Sequence, residues 1–260
     1  EAEQRRIRRL MRPGGADDQA IVVLGAGSVH IRKGVDLFIQ CAARAILEAP
    51  EVDYRFVWMG GGYEPLWDAA YSVYLADQIR RAGLEGHIVF IDESVAIETA
   101  YEEADMFLLS SRLDPLPNVA IESMAFGLPV LCFDKTTGIA DFLNDAGLGN
   151  HCVAKFLDSA DMAEKLSALA TSKSLREEVG ARSREASTAF FDANRYFAGL
   201  AALAETACDR VRREQEDARV ILESGLFRKD FALQPYLASL TVAQSVRRHV
   251  RAWASGIDRR

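Results

Sequence analysis

Five short apolar runs punctuate the first half of this 260-residue sequence, each a continuous block rather than an alternation: Ile21–Leu24, Tyr54–Met59, His87–Ile91, Met106–Ser110 and Val130–Phe133. Strands read this way when both of their faces are buried, and a sheet covered on both faces is in practice a parallel one. The stretches between the runs carry helical periodicity. Val35, Phe38, Ile39, Ala42 and Ile46 fall on one stripe. A second helix is expected to open at Pro65, a residue suited to a first helical turn, and to run through Trp67 and Leu75 to Gly83. Further on, Asp158 or Ser159 can cap a helix that continues through Met162, Leu166 and Leu169. Strand–helix alternation over five units predicts an α/β fold with a Rossmann-like, doubly wound parallel sheet.

The pattern sets the expected organisation. Residues 1–18 read as a polar lead-in that ends in a turn at Arg12-Pro13-Gly14-Gly15, and residues 19–190 as the α/β domain. From about residue 173 the strands stop: Ser174–Ala186 and then Ala193–Glu223 read as helices, the second long and highly charged. Residues 191–260 therefore form a helical C-terminal extension, whose last segment, from about 224, is basic. Glu1 rather than Met opens the chain, amid the charged stretch Glu1–Leu10, and an origin inside a longer polypeptide is the expectation.

Composition narrows the function classes. Apolar residues at 49% suffice for a buried core and exclude a disordered chain. A net charge of −7 argues against nucleic acid as a partner, since a phosphate polymer demands a basic face, but leaves room for a local basic patch that binds one small diphosphate. Cys41, Cys132, Cys152 and Cys208 are too far apart for a zinc cluster or a dense disulfide framework, so buried thiols in a reducing compartment are expected. No apolar run approaches the roughly 20 residues of a membrane span, and no secretory signal is visible. A cytoplasmic location follows as the expectation. The basic amphipathic stretch Val246–Ala254 has the makings of a contact with anionic lipid at the inner face of a membrane, although the tail's modest charge favours a solvated or domain-packing helix.

Two stretches carry chemistry. After the first run comes Gly25-Ala-Gly-Ser-Val-His-Ile-Arg32-Lys33-Gly34. Its small residues admit a ligand close to the backbone, the helix opening near Gly34 aims N–H groups there, and Arg32 and Lys33 add the charge that a diphosphate needs. A tight turn with two solvated bases is the plain alternative. His30 stands where a dinucleotide fingerprint has its third glycine, and no acidic residue ends the second strand as a nicotinamide cofactor requires. The second stretch runs Ser110-Ser-Arg-Leu-Asp114-Pro-Leu-Pro-Asn-Val-Ala-Ile-Glu122-Ser-Met-Ala-Phe-Gly127-Leu-Pro129-Val. Here a strand ends, a loop carries Asp114 and a helix begins near Pro117 or Asn118, with Glu122 in its first turns at the carboxyl edge of the sheet, where open α/β sheets bind ligands. A carboxylate there can accept two hydrogen bonds from a ribose diol, and the free N–H groups of the helix start can hold a phosphate or sugar oxygen. As a mere charge on the helix dipole Glu122 would contribute at most ~1 kcal/mol, and that reading leaves Asp114 unexplained. The four histidines form no site: His87 and His151 each read as opening a strand.

This second block resembles the signature of retaining glycosyltransferases of the GT-B fold, the family that includes glycogen and sucrose synthases. Its pattern is an acid, seven residues, Glu, a small-residue helix and Gly-Leu-Pro-Val, with Asp114 here in place of the usual first Glu and Glu122 as the second acid. Arg32-Lys33-Gly34 is similar to the family's Lys-Gly element, Gly60-Gly61-Gly62 to its glycine-rich turn, Val89-Phe90-Ile91 to its next strand and Thr137-Gly138-Ile139 to a further donor-facing loop. The resemblance covers about residues 20–190. It implies a donor-binding domain that takes a nucleoside diphosphate sugar as substrate and needs no cofactor and no metal. Lys33, Asp114 and Glu122 would be the catalytic set. Gly27, Ser28, Arg32, Lys33, Gly60, Glu93, Leu116, Asn118, Val119 and Glu122 would line the donor, with Asp92, Glu93 and Ser94 near the base. Lys33 would contact the diphosphate, Glu122 the ribose and Asp114 the sugar. Many members carry Arg five positions before the Lys, where this chain has Ser28, and Arg32 is the candidate for the missing charge. The acceptor site would belong to a missing N-terminal domain, so the fragment should bind but not transfer. A sugar-nucleotide epimerase of the same fold and an inactive scaffold module are the alternatives. Ile221–Phe227 also resembles connectors in multi-domain polysaccharide-biosynthesis proteins.

Overall fold

The computed structural model describes residues 1–15 and 18–223. Six strands form one parallel sheet: β1 (Ile21–Ala26), β2 (Tyr54–Met59), β3 (Ile88–Ile91), β4 (Met106–Leu109), β5 (Val130–Phe133) and β6 (Val153–Ala154). Their order is β3-β2-β1-β4-β5-β6. Each neighbouring pair is parallel, so the chain returns through a helix between strands. Between β1 and β4 the winding reverses direction. In open α/β sheets the carboxyl edge at such a reversal is where ligands bind.

The apolar runs are buried because helices cover both faces. Val22, Val23, Leu24, Phe107, Leu108, Val130 and Leu131 are fully inaccessible. The helices are α1 (Ala2–Met11), α2 (Val35–Glu48), α3 (Tyr71–Arg81), α4 (Ile97–Glu103), α5 (Asn118–Ala125), α6 (Gly138–Asp145), α7 (Gly149–Cys152), α8 (Ser159–Thr171), α9 (Lys173–Phe190) and α10 (Ala193–Glu223). The stripe foreseen on α2 points inward, with Phe38 set edge-on to Phe56 at 5.7 Å and to Trp58 at 5.2 Å. Truncating Phe38 to Ala would cost about 3–5 kcal/mol in transfer and cavity terms. Asp158 caps α8 by accepting from the N–H groups of Ala160 and Asp161, as its sequence position suggested.

Four sequence expectations change. The polar lead-in contains α1, whose Ile7 and Met11 are buried in the same core as the sheet. The helix expected from Pro65 starts only at Tyr71, because the Asp68 carboxylate accepts from the N–H groups of Ala70 and Ser72 and fixes the start there. That leaves Trp67 in a turn and 84% exposed. His151 lies in the short α7 rather than opening a strand, and β6 begins two residues later. Cys41, Cys132 and Cys152 are buried, whereas Cys208 is exposed.

Glu1–Phe191 is one compact unit, and the rest of the chain from Asp192 is a second. Of that second unit α10 is described, a 31-residue helix with Tyr196, Phe197, Leu200 and Leu203 exposed. The basic tail, the stretch Val246–Ala254 and all of Ile221–Phe227 beyond Glu223 lie outside the described residues. No described helix is long and apolar enough to cross a membrane.

Candidate functional site

The loop after β1 is placed by backbone contacts with the loop after β2. Gly27 donates to Met59 O at 2.9 Å and Val29 to Gly61 O at 2.8 Å, which extends the strand pairing beyond the sheet. Gly60 sits at φ 153°, and a Cβ there would strike the Gly27 carbonyl, so this crossing requires glycine. Ile31–Lys33 then form a 3₁₀ turn, opened by His30, whose Nδ1 accepts from the Arg32 N–H at 3.1 Å. Gly34 ends the turn at φ 68° and starts α2, and a Cβ on it would strike the carbonyl oxygen of Ser110, at the end of β4. The turn is thus wedged between two loops of the carboxyl edge.

The loop after β4 meets that turn. Arg112 donates its backbone N–H to Arg32 O at 2.8 Å, and Ser110 Oγ donates to Lys33 O at 3.2 Å. Asp114 donates its N–H to Thr136 O at 3.0 Å, and Gly138 its N–H to Pro115 O at 2.7 Å, so the loop before α6 supports the other side. Two cations and one acid consequently converge. Lys33 Nζ is 2.5 Å from Asp114 Oδ2, while Arg32 Nη1 lies 3.4 Å from Asp114 Oδ1 and 3.0 Å from Leu113 O. Asp114 is 8% exposed, Lys33 half-buried and Arg32 exposed. The aliphatic stem of Lys33 lies over Gly27, with Cε 3.3 Å from where a Cβ would stand.

α5 opens beside this cluster. Pro117 precedes it and no side chain caps it, so the N–H groups of Asn118 and Val119 face the loop side as an uncapped helix start. Leu116 and Asn118 are exposed and Val119 is half-buried. Glu122, exposed on the second turn, accepts a hydrogen bond from the hydroxyl of buried Tyr101 on α4 at 2.9 Å. Burial and the adjacent Glu122 carboxylate push the Tyr101 phenol up, so it remains a donor. Glu93 is exposed after β3, its carboxylate 3.5 Å from where a Cβ on Gly61 would stand, and Ser28 is exposed after β1. Tyr63 stacks on Phe90 of β3 at 3.6 Å. Cations, an uncapped helix start and an oriented carboxylate lie together on one sheet edge, an arrangement with the chemistry to hold an anion beside a hydroxyl-bearing group.

The sequence model of the family described as Glycosyl transferases group 1 matches residues 7–186. This chain belongs to that family. Among the glycosyltransferases it is similar to, an uncharacterized glycosyltransferase of Haemophilus influenzae is 24% identical over 162 residues, 62% of this chain and 43% of its own. The lipopolysaccharide core biosynthesis mannosyltransferase LpsB of Rhizobium meliloti is 29% identical over 108 residues, 42% of this chain and 30% of its own. The chain therefore spans less than half the length of these relatives. HepE of Anabaena, solved with UDP and glucose, shares the fold with a TM-score of 0.65 at 19% identity, over 79% of this chain and 53% of that one. The architecture is that of the GT-B glycosyltransferases.

In this group 1 glycosyltransferase chain, sequence reasoning passed over four described residues that touch the site or its supports: Asp36, Tyr71, Tyr101 and Arg112. The Arg112 guanidinium grips the Asp36 carboxylate at 2.8 and 2.6 Å, and Tyr71 donates to the same carboxylate at 2.7 Å. Arg112 lies within the second stretch singled out above and Asp36 just beyond the first, but no local pattern marks a pair 76 residues apart.

Proposed function

We propose that this chain is the donor-binding half of a glycosyltransferase that transfers a sugar from a nucleoside diphosphate sugar with retention of configuration, in polysaccharide or glycoconjugate synthesis. One observation carries the reading: Arg32 and Lys33 converge on buried Asp114 at the reversal of the sheet, beside the uncapped start of α5. Transfer breaks the bond between the sugar's anomeric carbon and the diphosphate and forms one to an acceptor oxygen, whose proton is released. Charge accumulates on the departing diphosphate, and Lys33, Arg32 and the α5 N–H groups are the donors that stabilise it. Glu122, with one oxygen oriented by Tyr101, accepts from the ribose hydroxyls. Asp114 orients the sugar and holds Lys33 in place until the diphosphate arrives. The relative in lipopolysaccharide synthesis and the neighbour solved with UDP and glucose support this reading. The acceptor site falls to a second domain, so the chain alone binds donor without transferring.

The two acids separate by ligand part. Glu122→Gln weakens nucleoside diphosphates with or without their sugar, and a 2′,3′-dideoxy analogue is insensitive to it. Asp114→Asn leaves bare diphosphate affinity within about twofold, because Lys33 is freed rather than lost, but lowers turnover of the full-length enzyme. Both variants keep side-chain shape, so calorimetry reads charge and acceptor capacity. Equal loss of bare diphosphate in the two variants would show the roles to be misassigned.

A further inference from the structure

The 3₁₀ turn that carries Arg32 and Lys33 has no buried side chain of its own. Apolar packing cannot hold it, so its position over Asp114 depends on the hydrogen bonds made to its backbone. Arg112 supplies two of them, its N–H to Arg32 O at 2.8 Å and its Nη1 to Ile31 O at 2.9 Å. The same guanidinium spans both oxygens of Asp36, the second residue of α2, which immediately follows the turn. Tyr71, at the start of α3, donates to Asp36 Oδ1 at 2.7 Å and accepts from the Asp36 N–H at 3.2 Å. Side-chain exposure is 31% for Arg112 and 16% for Asp36, so the pair is largely shielded from water. Burial opposes the Asp36 charge, but the hydrogen bonds from Arg112 and Tyr71 outweigh it and hold the carboxyl below its ordinary range.

We infer that Arg112 is a positioning residue for the donor diphosphate: braced by Asp36 and Tyr71, it fixes the turn bearing Arg32 and Lys33 against the loop bearing Asp114. The inference rests on the donor-site reading proposed above. Arg112 sits two residues before Asp114, yet Nη1 and Nη2 are committed to Asp36 and Ile31 O, so it acts on the site through the turn. The geometry also requires arginine. A planar fork reaches two carboxylate oxygens and a carbonyl together, whereas a lysine ammonium at this site keeps the charge and loses the fork.

The test uses the 260-residue chain and whichever of UDP, GDP and ADP binds it most tightly, compared with the matching nucleoside. Arg112→Lys should weaken the diphosphate about fivefold or more and the nucleoside less than about twofold, since a displaced cation loses phosphate contacts alone. Asp36→Asn should give the same split, and the double variant should be no worse than about twofold beyond the more affected single, because both residues act through one brace. Cooperative unfolding followed by circular dichroism confirms that each variant is folded, and Asp36→Asn serves if Arg112→Lys is not. Equal losses of diphosphate and nucleoside would make Arg112 a structural residue only. Unchanged diphosphate affinity, or losses that multiply in the double variant, would also overturn the inference. If the unsubstituted chain binds none of the three diphosphates, the donor-site reading itself falls and the role of Arg112 with it.

Discussion

Both edges of the sheet carry a knot of charge, yet the two knots are built for different ends. At the amino edge Arg12 donates to the carbonyls of Glu103 and Ala20 and to Asp105, and Asp105 also accepts from the Val22 N–H at 2.9 Å. Arg176 adds bonds to the carbonyls of Leu169 and Ala170 and stands 3.7 Å from Asp105. These contacts tie α1, β1, α4 and α9 together, and a cavity of about 730 Å³ beside them is lined by Arg12, Asp105 and Arg176 along with Arg8, Arg9 and Lys173. At the carboxyl edge, by contrast, Arg32 is exposed with a long 3.4 Å contact, Glu122 is exposed, and α5 starts uncapped. Charge consumed by backbone carbonyls staples elements. Charge held on an exposed loop beside a free helix start is available to a ligand.

Substitutions at the two edges should therefore separate stability from binding. Asp105→Ala removes one partner of Arg12 and leaves the Val22 N–H without its carboxylate, and should cost about 2–3 kcal/mol of unfolding free energy. Diphosphate affinity should stay within about twofold, since no site residue moves. A larger drop in affinity than in stability, read by calorimetry and denaturant titration, would break the contrast between the edges. Tyr101→Phe is the smaller counterpart at the carboxyl edge. Loss of one hydrogen bond to Glu122 should weaken nucleotide binding by about 1 kcal/mol, roughly fivefold. The loss should vanish in a Glu122→Gln background if Tyr101 acts by orienting that carboxylate.

The smallest effect is a pH dependence. Asp36 titrates lower in the folded chain than in the unfolded one, so its charged form contributes stability that is complete above its unfolded pKa, near 4. That contribution is lost as pH falls through the folded value. The stability gap between the parent chain and Asp36→Asn should hold steady from neutral pH to about 5 and close below about 4. A gap that widened in acid would reverse the sign assigned to Arg112 and Tyr71.

The fold was legible where the sequence departs sharply from water's preference. Tyr54–Met59 and Val130–Phe133 are strands with the bounds their apolar runs predict, because parallel strands buried on both faces exclude polar residues. β6 was expected from His151, but it begins at Val153 and is two residues long, too short for a run to fix its start. α1 escaped because its buried contribution is Ile7 and Met11 amid charged residues, a stripe too narrow to stand out from a polar lead-in. Lys33, Asp114 and Glu122 were nameable as candidates from their motifs. Their pairing was not: Lys33 and Asp114 are 81 residues apart, and Arg112 meets Asp36 across 76. Only the strand order, which sets β1 beside β4, brings those loops together.

The central claim is that the carboxyl edge holds a nucleoside diphosphate. Titration of the chain with UDP, GDP and ADP, set beside the bare nucleosides and repeated with Lys33→Ala, tests it most directly. At least one diphosphate should bind weakly. Lys33→Ala should lose roughly ten- to hundredfold of that affinity, equivalent to a charge-assisted contact of about 1.5–3 kcal/mol, with nucleoside binding unchanged. No heat from any of the three at millimolar concentration, or equal losses of diphosphate and nucleoside, would contradict it.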